Sequence, residues 1–470
     1  MARREETRAR KGSESPSARG QGGKKASAKK HSTGRRRQRR SANNGVRPAT
    51  LFERMNFLSG PTEVVRPRVI LIGSVLVLTI IGILMIFSSS SIEALENGRN
   101  IASYATEQIL FAVIAIAGCA FVAFFLPYRS WMGKMLDSFW LVSLILLILT
   151  FSIGTASLGA QRWLNLGPIS FQPSELAKPV FILYAARIMF EYRTKNLDTT
   201  QLGIRMAVMV VAPLLFMYWA QSDLGTTLIC VVGLFAVLWL ADIPAKPFAI
   251  TVAIVLLLGI IAVFGVGYRS DRMIFLNPES DPYGAGYQLL RSFYAFGEGG
   301  IFGVGLGNST EKYLYIPEAE TDFIFSIVGE ELGLIGCLLI VALFIAVLYA
   351  GIEITRQASD QFGAMIAGAC TTMLVFQAFL NICCVIGLAP TTGKPLPFLS
   401  SGGSALIGSY LLVGIILSVS VGSSPIKRRK APNPGEFEVY RGSTQGSPQA
   451  QPAGSASPRF QVVEKRPGRR

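Results

Sequence analysis

The sequence predicts an all-α, polytopic membrane protein of about ten transmembrane helices, with one large outer loop and polar cytoplasmic tails. Three observations carry that prediction. Half of the 470 residues are hydrophobic and only 16% are charged, where a soluble chain of this length would make two or three ordinary domains. Apolar stretches close to the ~20 residues that cross a bilayer recur from Val69 to Val421. Basic residues gather in alternate connections, as the positive-inside rule requires of cytoplasmic loops.

Residues 1–68 are rich in Arg, Lys, Ser and Gly, and much of the net charge of +16 lies there. Such a segment buries too little apolar surface to offset chain entropy, so it reads as a disordered tail. No aromatic or folded module accompanies the charge, which favours anionic lipid headgroups over nucleic acid. The apolar run begins too late for a cleavable signal peptide.

The predicted spans are Val69–Ile86, Ile109–Leu126, Phe139–Ile153, Leu176–Phe190, Met206–Trp219, Leu224–Leu240, Pro247–Val266, Phe323–Ala350, Met365–Leu388 and Leu406–Val421. The short fifth and sixth also suit a re-entrant pair. Arg129, Lys134, Arg193, Lys195, Lys246 and Lys427–Lys430 fall on the side of the tail, which places both termini in the cytoplasm. Residues 69–424 form the membrane domain, 267–321 its outer loop, and 425–470 a second disordered tail.

Residue usage narrows the chemistry. The only histidine is His31, in the tail. The membrane domain therefore has no Ser-His-Asp triad, histidine base or histidine-bound metal. The six cysteines lie in apolar stretches without metal-ligand spacing and read as packing residues. Proton chemistry falls to carboxylates, lysines or tyrosines.

The strongest candidate is Asp322, where the glycine-rich outer loop enters the eighth span. It suits a helix cap or a functional carboxylate at the membrane boundary. On a helix, Asp322, Ser326, Gly329, Gly333 and Gly336 fall within about 40° of one line. Gly329 and Gly333 would then admit another helix closely. Glu330 and Glu331 lie off that line and suit ion pairs or helix-to-helix hydrogen bonds.

Other charged groups face the same outer side. Glu175 and Lys178 are spaced i,i+3 and share a helix face, as an internal ion pair or as a lysine orienting a carboxylate across the cavity. Arg162 can grip phosphate while Trp163 stacks on a sugar, or the two can anchor at the interface. Leu289, Leu290, Phe293 and Tyr294 make one stripe, suiting a helix that lies on the membrane. Gly303–Gly307 lacks the strand-turn-helix context of a nucleotide loop.

Four blocks carry a resemblance. They are Gln161-Arg162-Trp163, Gln172-Pro173-Ser174-Glu175-Leu176-Ala177-Lys178, Thr321-Asp322-Phe323-Ile324-Phe325 with Glu330-Glu331-Leu332-Gly333, and Pro395-Leu396-Pro397-Phe398 with Ser400 and Gly402-Gly403. Together they resemble the SEDS (shape, elongation, division and sporulation) family of peptidoglycan polymerases, over about Arg68 to Val421. The resemblance implies an inverting glycosyltransferase that polymerises lipid II at the outer face of the bacterial plasma membrane.

It also implies that Asp322 is the catalytic carboxylate. Arg162, Trp163, Glu175, Lys178, Glu320, Lys394 and Ser400 would contact substrate. Residues 313–319 look like division-type rather than elongation-type members, which implies a septal location. The implied partners are a class B penicillin-binding protein transpeptidase, other divisome proteins and membrane lipids, without nucleic acid.

The chain departs from the family pattern at Glu320, usually His, at Ser401, often Tyr, at Ala405, often Ser, and in the charge of Lys394. A second acid at 320 would raise the proton affinity of Asp322. A pyrophosphate leaves readily, so one carboxylate base suffices. The chemistry needs no nucleotide cofactor, and a Mg or Mn ion held with the substrate pyrophosphate is left open. The rival readings are a flippase for the lipid-linked precursor and an elongation-type polymerase.

Overall fold

The structure, a computed structural model, describes residues 61–423 apart from 158–159, 167–168 and 265–273. Both tails and the start of the outer loop lie outside the described residues. In chain order the elements begin with α1 (Thr62–Ser89), α2 (Ser91–Glu96), α3 (Ser103–Phe125) and α4 (Lys134–Ile153). Strands β1 (Thr155–Ser157), β2 (Ala160–Leu166) and β3 (Ile169–Phe171) follow, then α5 (Pro173–Arg193). Next come α6 (Thr199–Trp219), α7 (Leu224–Leu240), α8 (Ala245–Phe264) and α9 (Tyr287–Gly299). The last are α10 (Ile324–Arg356), α11 (Gln361–Val385) and α12 (Gly403–Gly422).

Among the described residues seven helices, α1, α3, α4, α6, α10, α11 and α12, are long and apolar enough to cross a membrane. The protein is a multi-pass membrane protein. Three further predicted spans exist as helices but miss that measure, each for a different reason. Helix α5 carries Glu175, Lys178, Arg187, Glu191 and Arg193, and it faces protein more than lipid. Helix α7 has only 17 residues, and the apolar stretch of α8 is described over Ala245–Ile254. Helix α6 starts earlier than predicted and has 21 residues, enough to cross without pairing with α7.

Helix α5 is the hub, packing against α4, α7, α11 and α12. The outer segment before it is not an irregular loop but a three-stranded antiparallel sheet in the order β1-β2-β3. Near the start of α1 Arg68 donates to Ser420 Oγ at 2.8 Å and ties α1 to α12. Arg129 pairs with Asp360 at 2.9 Å, joining the α3–α4 and α10–α11 turns. All six cysteines are free and buried.

Two expectations about the outer loop need correction. The stripe from Asp322 to Gly336 does not run along one helix. Helix α10 starts at Ile324, and Gly333 breaks it with φ 66° and ψ −166°. The break frees backbone groups, and the loop after α9 satisfies them. Val304 N donates to Glu330 O at 2.9 Å, Gly305 N to Glu331 O at 3.0 Å, Leu334 N to Gly300 O at 3.0 Å and Ile335 N to Ile301 O at 3.3 Å.

A Cβ at Gly333 would stand 2.4 Å from Gly303 N, and one at Gly329 would stand 2.3 Å from the Phe296 ring. The close neighbour is therefore α9 with its loop, not another membrane span. The stripe on α9 also differs. Leu289, Ser292, Ala295 and Gly299 are buried, while Phe293 and Tyr294 are exposed. Glu330 receives Ser309 Oγ at 2.6 Å, and Glu331 accepts from Ser88 Oγ of α1.

Candidate active site

The site begins where β3 hands the chain to α5. Pro173 at the helix start has no N–H to leave unpaired, and the first turn then presents Glu175 and Lys178. Their i,i+3 spacing closes an ion pair of 2.6 Å, with both side chains buried. Lys178 Nζ also donates to Gln377 Oε1 of α11 at 2.8 Å. Across from them Lys394 Nζ lies 3.8 Å from Glu175 Oε1 and 3.0 Å from Asp223 Oδ1. Two buried lysines and two buried carboxylates thus alternate in sign, so their charges offset one another.

Asp223 closes this chain of charges. It caps α7, accepting from Thr226 N at 3.0 Å and from Thr226 Oγ1 at 2.8 Å. Ser174 Oγ and Gln172 Nε2 reach its Oδ2 at 3.2 Å each. Burial alone would push its pKa up. The charges of Lys394 and Arg162 and the Thr226 N–H outweigh that and hold the carboxyl well below the usual range.

Arg162 stands on β2, on the same strand face as the buried Leu164, while Trp163 points to the other face. The guanidinium donates to Gln221 O at 3.0 Å and to Ser222 O at 2.6 Å. Both Arg162 and Trp163 keep part of their surface open.

Asp322 lies two residues before α10, whose N-cap residue is Phe323. Among the described residues no hydrogen bond or ion pair reaches its carboxylate, and the residue is only partly buried. Its main chain is fixed instead: Asn381 Nδ2 donates to Asp322 O at 2.8 Å. Nearby protein desolvates the carboxyl and pushes its pKa up to about 6. Lys394 and Arg162 pull against that rise, and Glu318 adds to it.

The repelling acid is therefore Glu318, not Glu320 as expected. Glu320 is buried and held through its main chain, its carbonyl accepting from Ser401 N at 2.8 Å. Burial and the facing Glu93 carboxyl raise its own pKa to about 8. Glu93 also accepts from Tyr104 OH at 2.8 Å. Ser400 is buried, and its Oγ accepts from Leu396 N at 2.8 Å, which shapes the turn after Lys394.

A membrane core that gathers charged groups beneath an outer sheet, beside one unpartnered aspartate, has known relatives. The family described as cell cycle protein (FTSW_RODA_SPOVE) matches residues 68–424. The chain belongs to that family.

Within it, a probable peptidoglycan glycosyltransferase FtsW of Geobacter metallireducens is 38% identical over 373 residues, covering 78% of this chain and 98% of the relative. The stage V sporulation protein E of Bacillus subtilis is 35% identical over 363 residues, covering 76% and 98%. Among solved structures, a chain from a peptidoglycan synthase complex that couples polymerization and crosslinking is 25% identical. Its TM-score is 0.59, with 74% of this chain and 96% of that chain covered. The rod shape determining protein RodA of Thermus thermophilus has the same fold, with a TM-score of 0.52, 23% identity, and 74% and 95% coverage.

Of the predicted site residues, the structure links Glu175, Lys178 and Lys394 through direct contacts, and places Arg162 on the turn that also holds Lys394. Glu320, Trp163 and Ser400 take no direct part in that network. Sequence reasoning missed Asp223, Gln377 and Asn381. Asp223 carried a usable signal, since it precedes an apolar helix just as Asp322 does. Gln377 and Asn381 are spaced i,i+4 on one face of a predicted span, the pattern of polar groups turned toward a protein interior.

Proposed function

We propose that this chain is a peptidoglycan glycosyltransferase of cell division, polymerising lipid II into glycan strands at the outer membrane face. Its similarity to peptidoglycan glycosyltransferase FtsW proteins supports the transferase reading and the division role together. The observation that carries the mechanism is Asp322, a carboxylate with its backbone fixed, its side chain unpartnered and its pKa near neutrality. A general base needs those properties.

In the reaction Asp322 takes the proton of the acceptor sugar hydroxyl. The oxygen attacks the anomeric carbon of the donor, and the bond to the lipid pyrophosphate breaks with inversion. Lys178 and Lys394 are each paired with a carboxylate. Arg162, bonded among the described residues to neutral carbonyls, is therefore the cation that best offsets charge on the departing pyrophosphate. Trp163 supplies an apolar face for a sugar.

Among the described residues no three His, Cys, Asp or Glu side chains come together. A Mg or Mn ion would be held there mainly by the substrate's own pyrophosphate and would offset its charge.

A single-pass transpeptidase of the class B penicillin-binding type is the expected partner, since a structural neighbour is a chain of a peptidoglycan synthase complex. The test is purified protein incubated with labelled lipid II and resolved on a gel. Long polymer, lost in Asp322→Asn, supports the reading. Transfer of lipid II across vesicles without polymer would replace it with the flippase.

A further inference from the structure

Two aspartates precede helices in this site, Asp223 buried and Asp322 partly buried, and they are opposites. Asp322 has no side-chain partner among the described residues. Asp223 has every acceptor position occupied by Lys394, Thr226, Ser174 and Gln172, so it has no room to take a proton from substrate. The residues before it are also committed, since Gln221 O and Ser222 O both accept from Arg162. Ser222 holds φ at 51°, a left-handed conformation that a serine keeps only when its surroundings impose it.

One three-residue turn therefore grips two cations from two other segments, Arg162 of β2 by its carbonyls and Lys394 by its carboxylate. The charges of those same cations act on the Asp322 carboxyl. Gly393, next to Lys394, packs so that a Cβ there would meet Asp322 Oδ2 at 3.4 Å. Asn381 Nδ2 spans Asp322 O and Lys394 O at 2.8 and 2.9 Å. We propose that Asp223 is a positioning residue for the transferase. With the carbonyls of Gln221 and Ser222 it fixes Lys394 and Arg162 beside Asp322, so that the turn 221–223 keeps the base ionised at working pH.

The charges around Asp322 agree with that assignment. Lys394 and Arg162 favour its carboxylate, and Glu318 on its own loop opposes it. Among the described residues, helix α11 brings the neutral Asn381 to Asp322. Glu320 is turned toward Glu93. Helix α5 contributes Glu175 and Lys178, already joined to each other. With Glu318 and burial both pushing toward protonation, the two held cations are the groups that restrain it.

The proposal rests on Asp322 being the base, and the two ideas fail differently. The experiment is the pH–rate profile of lipid II polymerisation by the full chain in detergent, with melting temperature measured alongside. Lys394→Met should move the acid limb up by about one pH unit or more, as loss of a neighbouring opposite charge does to a carboxylate. Asp223→Asn should move it the same way by releasing Lys394 from its place. Near pH 6 that is roughly a fivefold slower rate, approaching about tenfold at lower pH and recovered at alkaline pH. Lys394→Arg should keep the limb near that of the parent.

An unmoved limb in folded Asp223→Asn, or an equal loss at every pH, overturns the proposal. If Asp223→Asn does not fold, the Lys394 pair decides: identical limbs for Met and Arg overturn it as well. Activity in Asp322→Asn would instead overturn the base itself.

Discussion

The side-chain amide of Asn381 donates to the main-chain carbonyl of Asp322 at 2.8 Å. The same nitrogen reaches Lys394 O at 2.9 Å, so one buried amide ties together the two segments that carry the base and its facing cation. Asn381→Leu would leave two carbonyls without that donor, at about 1–3 kcal/mol each if they stay dry. We expect a lower melting temperature and polymerisation reduced more than binding of lipid II. A rate unchanged in a folded Asn381→Leu protein would show that the placement of Asp322 does not depend on this amide.

Asp322→Asn separates catalysis from structure. Since no hydrogen bond or ion pair reaches the side chain among the described residues, stability should change little. Polymerisation should fall by roughly 10²–10⁴-fold, the usual contribution of a general base. Glu320→Gln, tested in parallel, should stay active because that carboxyl faces Glu93 instead of the site. Loss in Glu320→Gln with retention in Asp322→Asn would move the base to Glu320.

The pH dependence follows from the raised pKa of Asp322, about 6. A base works deprotonated, so the rate should rise with pH through about 6 and level off above it, falling roughly tenfold per unit on the acid side. A rate that stays flat from pH 5 to pH 8 would remove Asp322 from the proton transfer.

Lys178→Met removes one member of a buried pair and leaves Glu175 charged beside Lys394 alone. Breaking such a pair typically costs about 3–5 kcal/mol. The double change of Glu175→Leu with Lys178→Met should recover part of that stability, because no ion is then left unmatched on α5. Thermal melts of the three proteins check the order. A double variant no more stable than the single would show that the pair does more than balance charge.

Gly333→Ala tests the break in α10. At φ 66° an alanine is strained, and its Cβ would press on Gly303 N at 2.4 Å. We expect a fall of several degrees or more in melting temperature, with proteolysis of the outer loop accelerated. An unaffected protein would mean that the loop and the helix can part without cost.

Much of this was legible in the sequence because hydrophobic length and the cost of buried charge act locally. The apolar runs located the helices, and the acids and lysines outside the tails marked where the site would lie. What stayed hidden was long-range. Nothing local says that Lys394 reaches Asp223, 171 residues away, or that Asn381 holds Asp322. The sheet before α5 was missed because its strands are short, three, seven and three residues, and sit between membrane helices. The break at Gly333 was missed because a glycine inside an apolar run reads equally well as close helix packing.

The four hydrogen bonds between 300–305 and 330–335 have a further consequence. They make the outer strap and α10 a single ratchet with one register. A slip by a single residue would sever all four bonds at once, two donated by Val304 and Gly305 and two by Leu334 and Ile335 of α10. Strain applied to the strap from outside is therefore delivered to the helix break undamped. The end of α10 that receives it is the one nine residues after Asp322, at Glu331.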